Sequence, residues 1–253
     1  MSLVRVENVS FGYTGGRRIL DDVSLEIAAG DTIGLVGESG SGKTTLLRLL
    51  LGLTRPDSGS ISFDGQPLNP RLGAFMRQFR KQVQVVFQDP YSSLDPRQTV
   101  FSIIAEPLRS LRIAGDHAQM VGDALEAVGL ERTAGERYPH QFSGGLRQRI
   151  AIARAIVPGP RLLLADEAVS ALDLTTRIRI VDLLAGLSKK MSLLLVSHDI
   201  GVVAALCKRI VILEKGRIVE AGDTAQVLAD PQHPYTQRLL ASVPRLTLKE
   251  VSS

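Results

Sequence analysis

The residues best suited to chemistry begin with Gly37-Glu38-Ser39-Gly40-Ser41-Gly42-Lys43-Thr44, which fits G-x-x-x-x-G-K-[ST] at every fixed position. Glycines let successive backbone N–H groups turn toward one point, and the positive end of a following helix adds to the attraction for phosphate oxygens. Lys43 would reach the β- and γ-phosphates of a nucleoside triphosphate, and the Thr44 hydroxyl would coordinate Mg²⁺. Gly37, Ser39, Gly40, Ser41, Gly42 and Thr45 complete the phosphate-binding set. A glycine-rich turn capping a helix reproduces part of this pattern without a ligand, but not every fixed position with both flanks in place.

Holding phosphates does not hydrolyse them. Turnover needs a carboxylate at the end of a second buried strand to hold the hydrated metal, and Leu162-Leu163-Leu164-Ala165-Asp166 ends on one. Asp166 takes that role, and Glu167 would reach past the metal to polarise an attacking water. By itself an Asp-Glu pair after an apolar run is only a strand end; downstream of a complete phosphate loop its weight changes. His198 follows the apolar residues 192–196 and Gln88 ends residues 83–87, so each falls where a parallel sheet presents ligands. His198 could hydrogen-bond the γ-phosphate or the water, and Gln88 could touch Mg²⁺ or the water. Alone, the first is equally a structural histidine and the second a polar strand terminus.

These groups need a sheet to align them. Apolar residues alternate over 3–9 and 19–27 around the turn-rich 12–16, which predicts an antiparallel strand pair. A strand over 32–36 enters the glycine-rich loop, and a leucine-rich helix follows over 44–51. Residues 60–63 and 83–87 read as two more strands, so the first third is expected to be strand-dominated with one helix. From about residue 89 to 157 apolar positions recur at helical spacing, through 100–112, 120–128 and 147–157. Strands over 162–165, 192–196 and 209–213 then alternate with helices over 175–188 and 200–206, the βαβ rhythm of a parallel sheet. The expected organisation is one unit over 1–253: residues 1–88 and 158–253 form a catalytic core with a β subdomain, and 89–157 a helical insertion. Residues 247–253 read as a frayed tail.

Bulk composition bounds the remainder. With 253 residues, 44% hydrophobic and 22% charged, the chain has the makings of a packed core and excludes disorder, collagen-like repeats and coiled coil. A second full catalytic domain does not fit. The 30 Lys+Arg against 26 Asp+Glu leave a net charge of +4, spread over the short pairs Arg17-Arg18, Arg80-Lys81, Lys189-Lys190 and Lys208-Arg209. Without a basic stripe, and with no Trp and only 4% aromatic residues, nucleic acid is not the expected partner. The single cysteine, Cys207, permits no intrachain disulfide and no cysteine-based metal site, and reads as a small buried hydrophobe. Residues 1–7 carry Arg5 and Glu7 and no apolar signal region, and nowhere do about 18 apolar residues run together, so the chain is not expected to span a membrane.

Taken together, several segments resemble the nucleotide-binding subunit of ATP-binding cassette (ABC) transporters. The matching pieces are Tyr13, the phosphate loop 37–44, Gln88, Phe142-Ser143-Gly144-Gly145-Leu146, Asp166-Glu167, Ser170-Ala171-Leu172-Asp173 and His198, in the family's order and over nearly the whole chain. The resemblance implies an α/β fold: a RecA-like P-loop NTPase core with an antiparallel β subdomain and a helical insertion subdomain. It also implies two cassettes that sandwich ATP and Mg²⁺ between the phosphate loop of one and the signature of the other. Tyr13 would stack on adenine, while Ser143, Gly144 and Gly145, at a helix N-terminus, would bind the opposing γ-phosphate. Asp173 would link the two sites across the interface. Hydrolysis at Glu167 would then drive permease subunits between inward- and outward-facing states from the cytoplasmic face of the inner membrane.

Finer strings narrow the resemblance. Gln88-Asp89-Pro90-Tyr91-Ser92-Ser93-Leu94-Asp95-Pro96-Arg97, Tyr138-Pro139-His140 and His233-Pro234-Tyr235-Thr236 look like the ATPases of oligopeptide, dipeptide and nickel importers. Such systems imply a second ATPase subunit, the same or related, permeases that meet the 88–96 stretch, and an extracytoplasmic solute-binding protein. Leu146 stands where the signature usually has Gln, and Ala168 where Pro usually follows the catalytic Glu. The first is expected to impair the opposing site without abolishing it, or to mark the weakened half of an asymmetric pair; the second is expected to be neutral. His117, His140 and His233 are too scattered for a metal site. The alternative, an ABC-type ATPase acting on nucleic acid or ribosomes, would call for a second cassette, a long coiled coil or a zinc insertion.

Overall fold

The computed structural model describes residues 2–13, 16, 18–170 and 172–242. Arg17 of the first basic pair, Ala171 of the Ser170–Asp173 string and the expected tail over 247–253 lie outside the described residues.

Two strands open the chain, β1 (Ser2–Gly12) and β2 (Arg18–Ala28), paired antiparallel as the alternation predicts. Then come β3 (Thr32–Val36), α1 (Lys43–Leu50), β4 (Ser58–Phe63), the two-residue β5 (Gln66–Pro67), α2 (Gly73–Gln82) and β6 (Val83–Val86). The helix α2 corrects the expectation of a single helix in the first third. Only Met76 and Phe79 of its ten residues are buried, too little apolar repeat to announce a helix, and no side chain caps its start. A helical stretch follows: α3 (Pro90–Ser93), α4 (Val100–Ser110), α5 (His117–Ala127), two 3-10 turns (Arg132–Glu136 and Pro139–Gln141) and α6 (Gly144–Ile156). The closing part alternates β7 (Leu162–Asp166), α7 (Leu174–Leu187), β8 (Ser192–Ser197), α8 (Ile200–Leu206) and β9 (Arg209–Glu214), then adds β10 (Arg217–Asp223), α9 (Thr224–Ala229) and α10 (Pro234–Ala241).

The strands form two sheets. An antiparallel one has the order β2-β1-β4-β5, and a larger one the order β10-β9-β3-β8-β7-β6, parallel throughout except for the antiparallel edge pair β9 and β10. Strands β3 and β8 are buried along their whole length, as a parallel sheet covered on both faces requires. Their side chains alternate between two cores. Ile33, Leu35, Leu162, Leu164, Leu194, Val196, Val211 and Leu213 face the core shared with α1 and the antiparallel sheet. Val36, Leu163, Ala165, Leu193, Leu195, Ile210 and Ile212 face the core shared with α4, α5, α6, α7 and α8. The sheet thus sits between a β layer and a helical layer, with the loops after β3, β7 and β8 at its carboxyl edge. Cys207 is buried at the end of α8, where desolvation pushes its thiol up to about 12. Among the described residues, no helix is long and apolar enough to cross a membrane.

Candidate functional site

The loop after β3 carries the first expected residues. Gly37 is held to glycine by packing: a Cβ there would lie 2.2 Å from the Leu213 carbonyl oxygen. Gly42 is the N-cap of α1 and offers no side chain to its first turn, so the leading amides stay available to an anion. Side chains cap α3, α4, α5, α7, α8, α9 and α10; α1, α2 and α6 lack one. Of those three, α1 is the helix that the sequence assigns to phosphate and α6 the one that the family resemblance assigns to it. Ser39, Gly40 and Thr44 are exposed, Ser41 and Thr45 are buried, and the Ser41 hydroxyl has no hydrogen-bond partner. A cleft of about 530 Å³, lined in part by Ser39, Gly40, Ser41 and Tyr235, opens beside the loop.

Lys43 is buried, and its Nζ donates to the carbonyls of Gly37 at 2.7 Å and Glu38 at 2.8 Å. Burial lowers its pKa, while Glu167, Asp166 and Glu38 act in the opposite sense. At the end of β7, burial and the neighbouring Glu167 raise the pKa of Asp166, opposed by Lys43 and Arg48. Glu167 turns out of the strand through a positive φ of 47°, with its N–H donating to the Val196 carbonyl of β8 at 2.9 Å. That bend brings its Oε1 to 3.4 Å from His198 Nδ1. Lys43, Asp166, Glu167 and His198 therefore converge at the carboxyl edge of β3, β7 and β8. Gln88 joins them through Ser170: its Nε2 approaches the Ser170 Oγ at 3.4 Å, and that hydroxyl donates to the Glu167 carbonyl at 2.9 Å. Ser170 as the bridge between Gln88 and Glu167 carries no signal in the sequence beyond its place in the Ser170–Asp173 string.

Tyr13 lies beside α1. Its hydroxyl accepts from Arg48 Nη1 at 3.1 Å, its ring packs edge-on against Phe11, and the Thr45 hydroxyl and the Arg48 guanidinium lower the phenol's pKa. The ring remains 46% exposed, enough to offer a face to a base. Hard oxygen donors suit Mg²⁺, and the Thr44 hydroxyl, the Asp166 carboxylate and the Gln88 amide oxygen are of that kind. The orphaned Ser41 hydroxyl and the strained charge of Asp166 fit a loop that completes its bonding with a phosphate and a cation.

The signature residues are not brought to this cluster. Ser143 is the exposed N-cap of α6, without a side-chain cap bond; Gly144 packs near Tyr91 and Gly145 against Thr176. Among the described residues no hydrogen bond joins them to the phosphate loop. Asp173 caps α7, its carboxylate accepting from the Thr176 N–H at 3.0 Å. Leu146 is 37% exposed in the first turn of α6, and Ala168 is buried at a cavity of about 220 Å³ between the Gln88 loop and α6. The histidines have local tasks: His117 bonds the Ile113 carbonyl, His140 stacks on Tyr138 and His233 caps α10.

Known proteins match this chain in sequence and in fold. Residues 20–170 match the ABC transporter family model, and residues 219–251 match the C-terminal region of oligopeptide/dipeptide transporters. A putative peptide import ATP-binding protein of Brucella abortus is 45% identical over 254 positions, covering 96% of this chain and 75% of that one. A glutathione import ATP-binding protein of Salmonella choleraesuis is 46% identical over 229 positions, covering 89% of this chain and 37% of that longer protein. Among solved structures, the cbiO1 component of an ABC transporter complex from Clostridium perfringens superposes with a TM-score of 0.82 at 26% identity, over 90% of this chain and 91% of that one. An ATP-binding cassette solved as a dimer in a post-hydrolysis state with ADP and Pi gives 0.78 at 29% identity, over 87% and 98% of the two chains. On these matches the chain belongs to the ABC transporter ATP-binding family and is an ATP-hydrolysing cassette.

Proposed function

We propose that the chain is the ATPase subunit of an importer that takes up a small solute, of peptide type, through partner permeases. The relatives with peptide and glutathione in their names, and the match to the oligopeptide/dipeptide C-terminal region, favour that solute class over nickel or a metal chelate. The observation that carries the catalytic reading is the meeting of Lys43, Asp166, Glu167 and His198 at one sheet edge. The chain works at the cytoplasmic face of the inner membrane, paired with a second cassette and supplied by an extracytoplasmic solute-binding protein.

In this reading Tyr13 stacks on adenine, and the amides of the loop and of α1 take the phosphates together with Ser39 and Thr45. Lys43 Nζ leaves the Gly37 and Glu38 carbonyls for the β- and γ-phosphate oxygens, a short swing of a buried cation toward a stronger partner. Thr44, Asp166 and Gln88 would hold Mg²⁺, which when bound would supply positive charge against the phosphates. Glu167 takes the proton of the attacking water as its oxygen bonds the γ-phosphorus and the bond to ADP breaks. His198, at 3.4 Å, orients Glu167 and hydrogen-bonds the transferred phosphoryl group. Ser143, Gly144 and Gly145 of the opposing cassette close the site over the γ-phosphate, and Asp173 relays between the two sites. Glu167→Gln should keep ATP binding and slow hydrolysis by about 10²- to 10⁴-fold, the usual weight of a general base. Near-normal turnover in a phosphate-release assay would remove Glu167 from the base role.

A further inference from the structure

The string His233-Pro234-Tyr235-Thr236 has no part in the chemistry above, yet it lies against the phosphate loop. Tyr235, in the first turn of α10, is only 4% exposed, and its Oη accepts a hydrogen bond from the Glu38 N–H at 2.9 Å. That N–H belongs to the peptide joining Gly37 to Glu38, whose carbonyl accepts from Lys43 Nζ at 2.7 Å. One peptide group is therefore held at both ends, by the loop's lysine and by a phenol that comes from far along the chain. Hydrogen bonds at the two ends of a peptide polarise each other and stiffen its plane.

Tyr235 is itself fixed in place. Nδ1 of His233 accepts from the Tyr235 N–H at 3.2 Å, and Pro234 starts the helix. The Glu220 carboxylate on β10 accepts from the backbone of Gln232 at 2.8 Å and of His233 at 3.1 Å. Arg238 lies 5.9 Å from the ring centroid and 3.7 Å from Glu214 on β9. The position of the hydroxyl is thus set by the segment from β10 to α10, the part that matches the oligopeptide/dipeptide C-terminal region.

We infer that Tyr235 is a positioning residue for the phosphate loop, through which the segment from β10 to α10 sets the affinity for ATP. The inference rests on the ATPase reading and deepens it. When Lys43 Nζ turns to the phosphates, the Gly37 carbonyl loses its lysine, and the phenol is the hold that stays on this peptide. Without it, the loop is ordered only as ATP binds, and the cost appears as lost affinity.

Tyr235→Phe in the full chain removes one oxygen and keeps the ring in its packing. Calorimetric titration with MgATP should show binding weakened about 3- to 10-fold, the size of one net hydrogen bond. Hydrogen exchange in nucleotide-free protein should speed up over residues 37–41, whereas a role confined to packing α10 would move exchange in α10 and leave the loop alone. Glu38→Pro deletes the same donor from the loop side and leaves α10 intact, so it carries the test if the tyrosine variant does not fold. In the Glu38→Pro background, which also loses the Glu38 carboxylate near Lys43, Tyr235→Phe should weaken ATP binding no further, because the donor it served is already gone. Additive effects, unchanged binding or unchanged loop exchange would each overturn the inference. Wild-type protein that fails to bind ATP would sink the ATPase reading; wild type that binds while Tyr235→Phe binds equally well sinks the inference alone.

Discussion

At the residue scale, Asp166 carries a charge that the fold holds at a cost. Burial and the adjacent Glu167 raise its pKa above the ordinary 3.8, against the pull of Lys43 and Arg48. A raised folded-state pKa means that the folded chain holds this proton more tightly than the unfolded chain does. The contribution of Asp166 to stability therefore falls as pH climbs from the ordinary carboxylate range through the raised value, and at neutral pH it is unfavourable. Asp166→Asn should accordingly melt higher than wild type at pH 7 without nucleotide or divalent cation, and the gap should close as pH drops below the ordinary carboxylate range. Differential scanning calorimetry across that range checks it, and a lower melting temperature at pH 7 would contradict the proposed charge strain. The same variant should lose its response to Mg²⁺, as expected where strain is kept for a ligand.

At the scale of elements, the site depends on loops that neighbouring helices hold. Arg177 of α7 donates through Nη1 to Asp199 at 3.0 Å and through Nη2 to the Leu172 carbonyl at 3.4 Å. Asp199 caps α8 and directly follows His198. One guanidinium thus ties the loop that leads to Asp173 to the loop that presents His198. Arg177→Met should lower the melting temperature by about 2–4 °C, as loss of a partly exposed pair worth ~1 kcal/mol predicts. ATP hydrolysis should fall several-fold more than ATP binding, which steady-state kinetics beside equilibrium binding would separate; equal losses would mean that the tie only stabilises. Such links are what the sequence leaves illegible. Strands β3, β7, β8 and β9 are short, apolar and followed by polar residues, so the sheet and its ligand edge can be read from spacing alone. By contrast, β10 is only partly buried and shows no alternation, α9 buries Thr224 and Val227, and α10 buries Tyr235 and Thr236. Elements that bury two side chains each leave no periodic signal, and the bond from Tyr235 to the loop depends on a tertiary fold that no local pattern encodes.

At the scale of the whole molecule, the cassette holds its two sets of proposed ATP-binding residues apart. Lys43, Asp166, Glu167 and His198 converge at one sheet edge, while Ser143 is exposed at the uncapped start of α6 and, among the described residues, has no hydrogen bond to the phosphate loop. A closed pair in which each chain lends its signature to the other would complete both sites by one symmetry operation. That geometry predicts complementation between defective chains. Lys43→Ala spoils the loop and spares the signature; Ser143→Arg does the reverse by placing a bulky cation at the N-terminus of α6. Each should be nearly inactive alone, whereas an equal mixture should recover about one quarter of wild-type turnover, since half of random pairs are mixed and each mixed pair keeps one of two sites. Recovery in a phosphate-release assay would identify a second copy of this chain as donor of the opposing signature. No recovery, with both variants folded, would assign that role to a related second subunit, and the same mixture should then regain activity only when the related subunit and the permeases are present.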